Sequence, residues 1–273
     1  MIPAGRAFYK MSGSGNDFVM VDARNEPPGR LAEAAVIQQI CARGSGVGAD
    51  GIVFLEPSSE AAIRLTYLNA DGSRADFCGN ATLCTTRLAL ELGVAPGTGF
   101  NIETDTGVVV ARLDDSRPEI DLQPVSEVVP SLKDLAPQSG ERRVGFARVG
   151  VPHVVIRCED VSLVDVVGRG RPLRFHPSLV DGANVNFVSS RRGGGWRIRT
   201  YERGVEAETL ACGSGAVATA ILLTAWDEAD GPVSLETKSG RELRVRLRRE
   251  NDRWFPSLSG EARVIFEGRL SEI

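Results

Sequence analysis

Short apolar runs bounded by turn residues recur along the chain and predict β-strands. Each run is rich in β-branched or aromatic residues and is flanked by Gly, Asp or Asn, which is typical of a strand between turns. The predicted strands cover residues 18–21, 51–55, 63–67 and 108–111 in the first half and 151–156, 185–188 and 196–201 in the second. The segment 114–137, rich in proline and charge, separates the two sets, and we predict a loop there.

One segment in each half departs from the strand pattern, because a Cys-Gly pair opens an apolar helix. After Cys78, apolar or small residues recur at helical spacing until Gly93, a residue that commonly ends a helix. After Cys212, residues 216–225 are apolar on nearly every side, which predicts a helix buried inside its domain. Two such segments at a long separation indicate a duplicated domain rather than a short repeat.

These elements predict an α/β (α+β) fold with two pseudo-symmetric domains, each a mixed sheet wrapped around a central helix. We place the boundary near residue 125. Residues 1–124 then form the half that carries Cys78, and residues 125–273 form the half that carries Cys212. The C-terminal tail is expected to return to the first half.

Composition places the chain among globular proteins that act on small molecules. Its 273 residues are 42% hydrophobic and 25% charged, as is usual for such proteins. With 36 acidic and 32 basic side chains, the net charge of -4 gives no positive field for nucleic acid. No apolar run approaches the roughly 20 residues of a membrane span, and residues 1–10 show no signal pattern, so a cytoplasmic protein is expected.

The number of cysteines favours reduced thiols over a disulfide framework. Five is an odd number, and the chain is longer than a typical disulfide-stapled domain. Buried thiols are commonly small apolar fillers, and we expect that of Cys41 and Cys158. Cys78 and Cys212 differ from these because each stands at a predicted helix start.

A thiol at a helix start has a chemical use. The unpaired N–H groups and partial positive charge there stabilise an anion, so such a cysteine has a pKa below its ordinary value of about 8.5. Two such starts facing each other would hold an amino-acid carboxylate and present one sulfur to each face of the α-carbon. One thiolate would remove the α-proton and the other thiol would return a proton, which inverts the carbon without metal or cofactor.

Eight segments, taken in order, resemble the diaminopimelate epimerase family, and they span nearly the whole chain. They are MSGSGNDF (11–18), GVGADG (46–51), NADGS (69–73), CGN (78–80), GVPH (150–153), NVNF (184–187), YERG (201–204) and ETLACGSG (208–215). The resemblance implies two pseudo-symmetric domains and conversion of LL- to meso-diaminopimelate in the pathway to lysine and cell-wall precursors. It also implies a homodimer that needs no cofactor.

The same resemblance implies roles for individual residues. Cys78 and Cys212 match the catalytic pair, and His153 and Glu202 match the groups that assist the two thiols. The helix-start anion site falls on Gly79, Asn80, Gly213 and Ser214, and the remaining substrate contacts fall on Asn16, Asn69, Asn184 and Arg203. Arg203 offers a fork of donors for the distal carboxylate, and amide oxygens with Glu202 offer acceptors for the distal ammonium.

The chain departs from the family pattern at a few positions. Ser12 replaces a usual His or Gln, Ala81 a usual Gly and Leu83 a usual Arg, and one extra residue lies between 204 and 208. These changes keep both thiols and their helix starts. Val151 stands where many members have a ligand-binding Asn, and this change bears on the substrate.

Other interpretations stay open at this point. A racemase or epimerase of the same family acting on another amino acid is favoured by Val151, whereas Asn69, Asn184 and Arg203 weigh against it. A Cys-His hydrolase that pairs Cys212 with His153 would leave the other cysteine segment without a role. An amino-acid-binding protein without activity would need no pair of thiols, and α-deuteration of a substrate in heavy water would separate it from an enzyme.

The sequence contains no residues that support a bound metal ion or a pyridoxal phosphate cofactor. Neither Cys78 with Cys84 nor the two histidines form a set with zinc-ligand spacing. A pyridoxal phosphate enzyme needs a lysine that forms a Schiff base within a phosphate-binding segment. No lysine of this chain has such a setting, and the lysines are Lys10, Lys133 and Lys238. We therefore expect no metal and no cofactor.

Overall fold

The computed structural model describes residues 5–75 and 77–271. Asp76, in the first cysteine segment, lies outside the described residues. The chain divides into two compact units. The first is Met1–Ile120 with Ser259–Ile273, and the second is Asp121–Leu258.

Seventeen strands and four α-helices follow one another along the described residues. The first stretch contains β1 (Ala7–Gly13), β2 (Asn16–Asp22), α1 (Ala34–Cys41), β3 (Gly51–Glu56), β4 (Ile63–Asn69), α2 (Gly79–Glu91), β5 (Phe100–Thr104), β6 (Gly107–Asp114) and β7 (Arg117–Asp121). The next contains β8 (Val128–Val129), β9 (Glu141–Val149), β10 (Val151–Cys158), α3 (Val166–Arg174), β11 (Asn184–Ser190), β12 (Trp196–Glu202) and β13 (Ala207–Thr209). The last contains α4 (Gly213–Ala225), β14 (Val233–Glu236), β15 (Glu242–Glu250), β16 (Arg253–Gly260) and β17 (Ala262–Arg269). Short 3₁₀ turns cover Gly29–Ala32 and Val161–Leu163.

The two units repeat one strand arrangement. From β1 to β6, neighbouring strands pair antiparallel, parallel, antiparallel, parallel and antiparallel. The strands β9, β10, β11, β12, β14 and β15 pair in the same sequence of directions. In both units one helix follows the second strand of the series and another precedes the fifth. The predicted fold class, two pseudo-symmetric domains with mixed sheets, is confirmed.

The central strands of each unit are buried on both faces. In the first unit Val19 and Ile52 share a cluster with Ile37 of α1, whereas their neighbours Met20 and Val53 are buried on the opposite face. Since side chains alternate along a strand, that second face is the one available to α2. α2 contacts β1, β4 and β17, and α4 contacts β9, β10, β11 and β15 in its own unit. Helix on both sides explains why these strands read as continuous apolar runs.

The central helices α2 and α4 correspond from end to end. Each has 13 residues. Each ends where one residue takes a left-handed conformation, Gly93 with φ 66° and Asp227 with φ 59°. The next N–H then bonds back to a carbonyl five residues earlier, at 2.8 Å in α2 and 2.9 Å in α4. This is the Schellman arrangement, and its presence in both helices supports the duplication.

The predicted loop at 114–137 is wrong in part, because the segment contains β7 and β8. Asp115 and Ser116 both have positive φ, 47° and 66°, which makes a two-residue hairpin turn between β6 and β7. Pro118 lies opposite Leu113 in that hairpin. The proline and the charged residues concealed strand β7 in the sequence. The sequence signal for this hairpin lies in its turn residues, Asp115 and Ser116. Of the helices in the described residues, none has the length and apolar character to cross a membrane.

Candidate active site

Cys78 and Cys212 are the N-cap residues of α2 and α4, as predicted. Their backbones are extended and nearly identical, with φ -138° and ψ 111° at Cys78 and φ -134° and ψ 109° at Cys212. Each precedes a glycine that begins its helix, and at Cys212 an N–H group of the first helical turn bonds to the sulfur itself. The N–H groups of a first helical turn have no acceptor within the helix and favour an anion nearby.

The setting of the cysteines separates two from the other three. Cys78 and Cys212 are half-buried, whereas Cys41, Cys84 and Cys158 are buried. Burial raises the pKa of Cys41 to about 11 and that of Cys158 to about 12, and it also raises the pKa of Cys84. The buried three therefore stay protonated at neutral pH. The predicted role of Cys41 and Cys158 as apolar fillers fits their burial.

The sulfur of Cys212 contacts two polar groups of its own helix. It accepts the N–H of Gly215 at 3.4 Å and lies 3.6 Å from Oγ of Ser214. Hydrogen bonds to a sulfur favour its charged form. Ser214, predicted for the anion site, thus lies beside the thiol.

Asn16 and Asn80, both predicted for substrate binding, meet in the first unit. Ser14 and Gly15 have positive φ, 54° and 110°, and form the tight turn that places Asn16 at the start of β2. Nδ2 of Asn80 donates to Oδ1 of Asn16 at 2.7 Å. Asn69 ends β4, where its Nδ2 donates to Oγ of Ser73 at 3.0 Å.

A charged cluster behind Asn16 was not anticipated from the sequence. Asp50 accepts from Nδ2 of Asn16 at 2.9 Å and from Arg43 at 2.7 Å. Arg43 also pairs with Asp17 at 2.6 Å, and the buried Lys10 pairs with Asp17 at 2.6 Å. Burial acts to raise the pKa of Asp17, but hydrogen bonds from Arg43 and Lys10 outweigh it and hold this pKa below its ordinary value.

His153 is fully buried in the second unit and is neutral. Burial, with a smaller effect of the Arg203 charge, lowers its pKa to about 3. Asn186 donates from Nδ2 to Nδ1 of His153 at 3.2 Å and to the carbonyl of Val154 at 3.1 Å, while Thr200 donates to Oδ1 of Asn186 at 2.9 Å. Since Nδ1 accepts, the proton sits on Nε2.

That proton has no hydrogen-bond partner among the described residues. Nε2 of His153 is buried, and no hydrogen bond reaches it from the described residues. A buried donor without an acceptor is unfavourable until a ligand supplies one. The neutral N–H of His153 can therefore donate to a ligand that carries an acceptor.

Asn184, Glu202 and Arg203 gather at one end of the β11–β12 pair. Oδ1 of Asn184 accepts the backbone N–H of Arg203 at 2.8 Å, and its Nδ2 donates to the carbonyl of Pro152 at 3.4 Å. The Arg203 guanidinium donates to the carbonyl of Asp181 at 3.0 Å. Glu202 is the half-buried last residue of β12. The amide of Asn184 thus anchors both the strand that bears His153 and the residue that bears the guanidinium.

The family model for diaminopimelate epimerase matches residues 8–126 and 145–265. The chain belongs to this family. It is 47% identical to the diaminopimelate epimerase of Gemmatimonas aurantiaca, over 97% of this chain and 99% of that protein. It is 39% identical to the diaminopimelate epimerase of Aquifex aeolicus, over 97% of this chain and 98% of that one.

Solved structures with low sequence identity share the fold. A phenazine biosynthesis protein of the PhzF family from Bacillus anthracis has a TM-score of 0.74 and 14% identity, covering 98% of this chain and 99% of that one. A hydroxyproline epimerase from Agrobacterium vitis, with bound trans-4-hydroxy-L-proline, has a TM-score of 0.70 and 18% identity, covering 99% and 92%. The two-domain architecture of this diaminopimelate epimerase family member is therefore one that other proteins also use.

Two residues beside the family's polar positions went unnoticed in the sequence. Asp50 lies in GVGADG and Asn186 in NVNF, so both belong to segments that resemble the family. The available signal at Asn186 was strand alternation, which turns it away from the cluster that contains Val185 and Phe187. Asp50 offered no local signal of its contact with Asn16. Among residues 5–75 and 77–271, no group of three or more His, Cys, Asp and Glu side chains is placed to hold a metal.

Proposed function

We propose that this chain inverts one α-carbon of LL-diaminopimelate to give meso-diaminopimelate. It is then an isomerase of lysine and cell-wall precursor biosynthesis. Family membership supports the substrate, and relatives named diaminopimelate epimerase align over nearly the full length of both chains. The observation that carries the reaction type is the duplicated helix start, in which two extended cysteines cap two matching helices.

The chemistry proposed for the two thiols is a two-base inversion. One sulfur, as thiolate, takes the α-proton from one face, and the other, as thiol, gives a proton to the opposite face. The α-carboxylate binds the helix-start N–H groups of Gly79, Asn80, Gly213 and Ser214. These groups are fixed before the reaction and stabilise the negative charge that develops as the proton leaves. The residues need no cofactor for this sequence of steps.

His153 and Glu202 are proposed to assist the thiols in different ways. A neutral imidazole with a depressed pKa is a poor proton acceptor, so we assign His153 the role of donor to an anion through Nε2–H. Glu202 is assigned the acceptor role beside the second thiol. Arg203, Asn69 and Asn184 are assigned to the distal amino-acid end, where a planar fork suits a carboxylate.

The wider arrangement belongs to the same proposal. We assign residues 1–124 and 125–273 to two epimerase halves, each with one thiol, with the C-terminal tail returning to the first half. A homodimer in the cytoplasm is the proposed working form, with the amino-acid substrate as the partner and no part for nucleic acid or membrane. Sedimentation of the purified protein tests the dimer.

A second candidate function is inversion of another amino acid. Val151 favours it, because this half-buried residue begins β10 directly before Pro152 and His153, where many family members have an Asn. An apolar side chain there withdraws one polar contact from a substrate. A smaller amino acid without a charged distal end would lose least from that change.

Incubation with LL-diaminopimelate and with a panel of free amino acids, followed by chiral separation, tests the proposal. We expect meso-diaminopimelate with the wild type, and none with Cys78→Ala or Cys212→Ala. Inversion of a different amino acid at a higher rate would replace the proposed substrate. Near wild-type turnover in either cysteine variant would overturn the two-base chemistry.

A further inference from the structure

The carboxylate of Asp50 is held by three donors. Its Oδ2 accepts from Nδ2 of Asn16 at 2.9 Å and from the backbone N–H of Asp17 at 3.2 Å, and its Oδ1 accepts from Arg43 at 2.7 Å. The backbone of Asp50 is also fixed, because its N–H bonds to the carbonyl of Asp17 at 2.9 Å and its carbonyl accepts from Ala70 at 3.0 Å. Side chain and main chain together make Asp50 a rigid point beside Asn16.

A fixed carboxylate decides which way the amide of Asn16 points. Carboxylate oxygens only accept, so Asn16 must turn its NH₂ group toward Asp50. Its Oδ1 then faces Asn80 and accepts from Nδ2 of that residue at 2.7 Å. The orientation of the second amide therefore follows from the first.

The hydrogen bonds that run from Asp50 through Asn16 to Asn80 leave one polar atom of Asn80 to account for. Oδ1 of Asn80 is buried, and no hydrogen bond reaches it from the described residues. Asn80 itself is 3% exposed and is the second residue of α2, next but one to Cys78. A buried acceptor without a donor is unfavourable unless a ligand donates to it. The side-chain atom that Asn80 leaves for a ligand, two positions after Cys78, is thus an oxygen.

The geometry points to Asp50 as a positioning residue that fixes the polarity of the Asn16–Asn80 amide pair, so that Asn80 offers an acceptor to the substrate ammonium. This inference rests on the proposed function, since the ammonium is that of the amino acid at Cys78. Without Asp50, both amides can turn over. Asn80 then offers NH₂ to a cation, which repels it.

A purely structural role for Asp50 predicts a different pattern of variants. If its contribution were the ion pair with Arg43, then Arg43→Gln and Asp50→Asn would do the same damage as Asp50→Ala. If Asp50 instead contributes an acceptor oxygen, Asp50→Asn should be tolerated, because asparagine still directs an oxygen toward Asn16 and the N–H of Asp17. Arg43→Gln keeps the carboxylate itself. Both variants should then retain substrate binding.

Steady-state kinetics with diaminopimelate on the three folded variants tests the assignment. We expect Asp50→Ala to raise KM about ten-fold or more, as for loss of a hydrogen bond to a charged group, with a smaller change in kcat. Asp50→Asn and Arg43→Gln should stay within about three-fold of wild type. In an Asn16→Ala background, Asp50→Ala should add less than about two-fold, because residues that act through one another are not additive.

Asn80→Asp provides a second test that does not depend on the folding of Asp50→Ala. A carboxylate at 80 adds attraction for an ammonium, but Oδ1 of Asn16, fixed by Asp50, then faces another acceptor. We expect KM to rise. Unchanged or tighter binding by Asn80→Asp, equal damage from Asp50→Asn and Asp50→Ala, or additive costs of Asp50→Ala and Asn16→Ala would each overturn the inference.

Side-chain amide resonances separate this inference from the proposed function. In ¹⁵N-labelled protein, the NH₂ protons of Asn16 and Asn80 should exchange slowly with solvent in the wild type and in Asp50→Asn, and rapidly in Asp50→Ala. This pattern in a wild type that does not invert diaminopimelate would contradict the proposed function alone. Rapid exchange in a wild type that does invert it would contradict the amide pair alone.

Discussion

Replacing Gly215 by alanine tests how tightly the residues around Cys212 and His153 are packed. Gly215 is the third residue of α4, and a Cβ built on it would overlap Oδ1 of Asn186 and lie 3.2 Å from Sγ of Cys212. Asn186 is fully buried, so its amide has no solvent to move into. The methyl group therefore forces either the amide or the sulfur to shift.

The expected magnitude follows from two opposing effects. Alanine is preferred over glycine inside a helix by up to about 1 kcal/mol. Against this, the Asn186 amide makes hydrogen bonds to His153, Val154 and Thr200 at 3.2, 3.1 and 2.9 Å. Each contributes about 1 kcal/mol when buried, so losing all three costs about 3 kcal/mol. The net change in the free energy of unfolding is a loss of about 2 kcal/mol.

Urea unfolding gives this free energy, and kcat/KM of the same variant reports on the site. We expect kcat/KM to fall at least about ten-fold, since His153 loses the contact that sets its tautomer. Gly97→Ala is the matched control, because a Cβ there meets only Leu113 at an ordinary 3.7 Å. That change should be neutral or slightly stabilising. A Gly215→Ala variant as stable and as active as wild type would refute the packing argument.

The same structure predicts the effects of three further substitutions. Cys84→Ala should keep wild-type turnover and lower the free energy of unfolding by about 1 kcal/mol in urea, because Cys84 is buried in the core. Arg203→Lys should lower kcat/KM for diaminopimelate about ten-fold, since lysine lacks the planar fork, and an unchanged value would place the distal end elsewhere. Folded His153 stays neutral to about pH 3 while the unfolded chain takes up a proton near 6.5, so stability should fall as pH drops through this window. Urea midpoints of His153→Gln should depend less on pH there, with His176→Gln as the control that removes the other histidine.

Much of the fold follows from local pattern. The strands at 18–21 and 185–188 are β-branched runs between turn residues, and both form where expected. The helix after Cys78 ends just before Gly93, because a left-handed residue follows its C-cap and glycine takes that conformation without strain. The strand at 117–121 and the helix α3 were missed, since Pro118 and Pro172 count against regular structure in any local reading.

Only those residues of the candidate site that lie in recognisable sequence motifs could be predicted. Cys78, Cys212 and the amides beside them stand in recognisable segments, and the helix starts follow from those segments. The contact of Asp50 with Asn16 spans 34 positions and arises from the parallel pairing of β2 with β3, which periodicity does not specify. The low pKa of His153 likewise depends on burial by several elements.

The central proposal is that two thiols act on opposite faces of one α-carbon. Incubating LL-diaminopimelate with the enzyme in deuterated water and analysing it early in the reaction tests this most directly. With two bases, the meso product carries one solvent deuterium at the inverted carbon while the remaining LL substrate is unlabelled. Deuterium in recovered LL substrate at the same rate as in product would mean that a single base serves both faces, and would contradict the account.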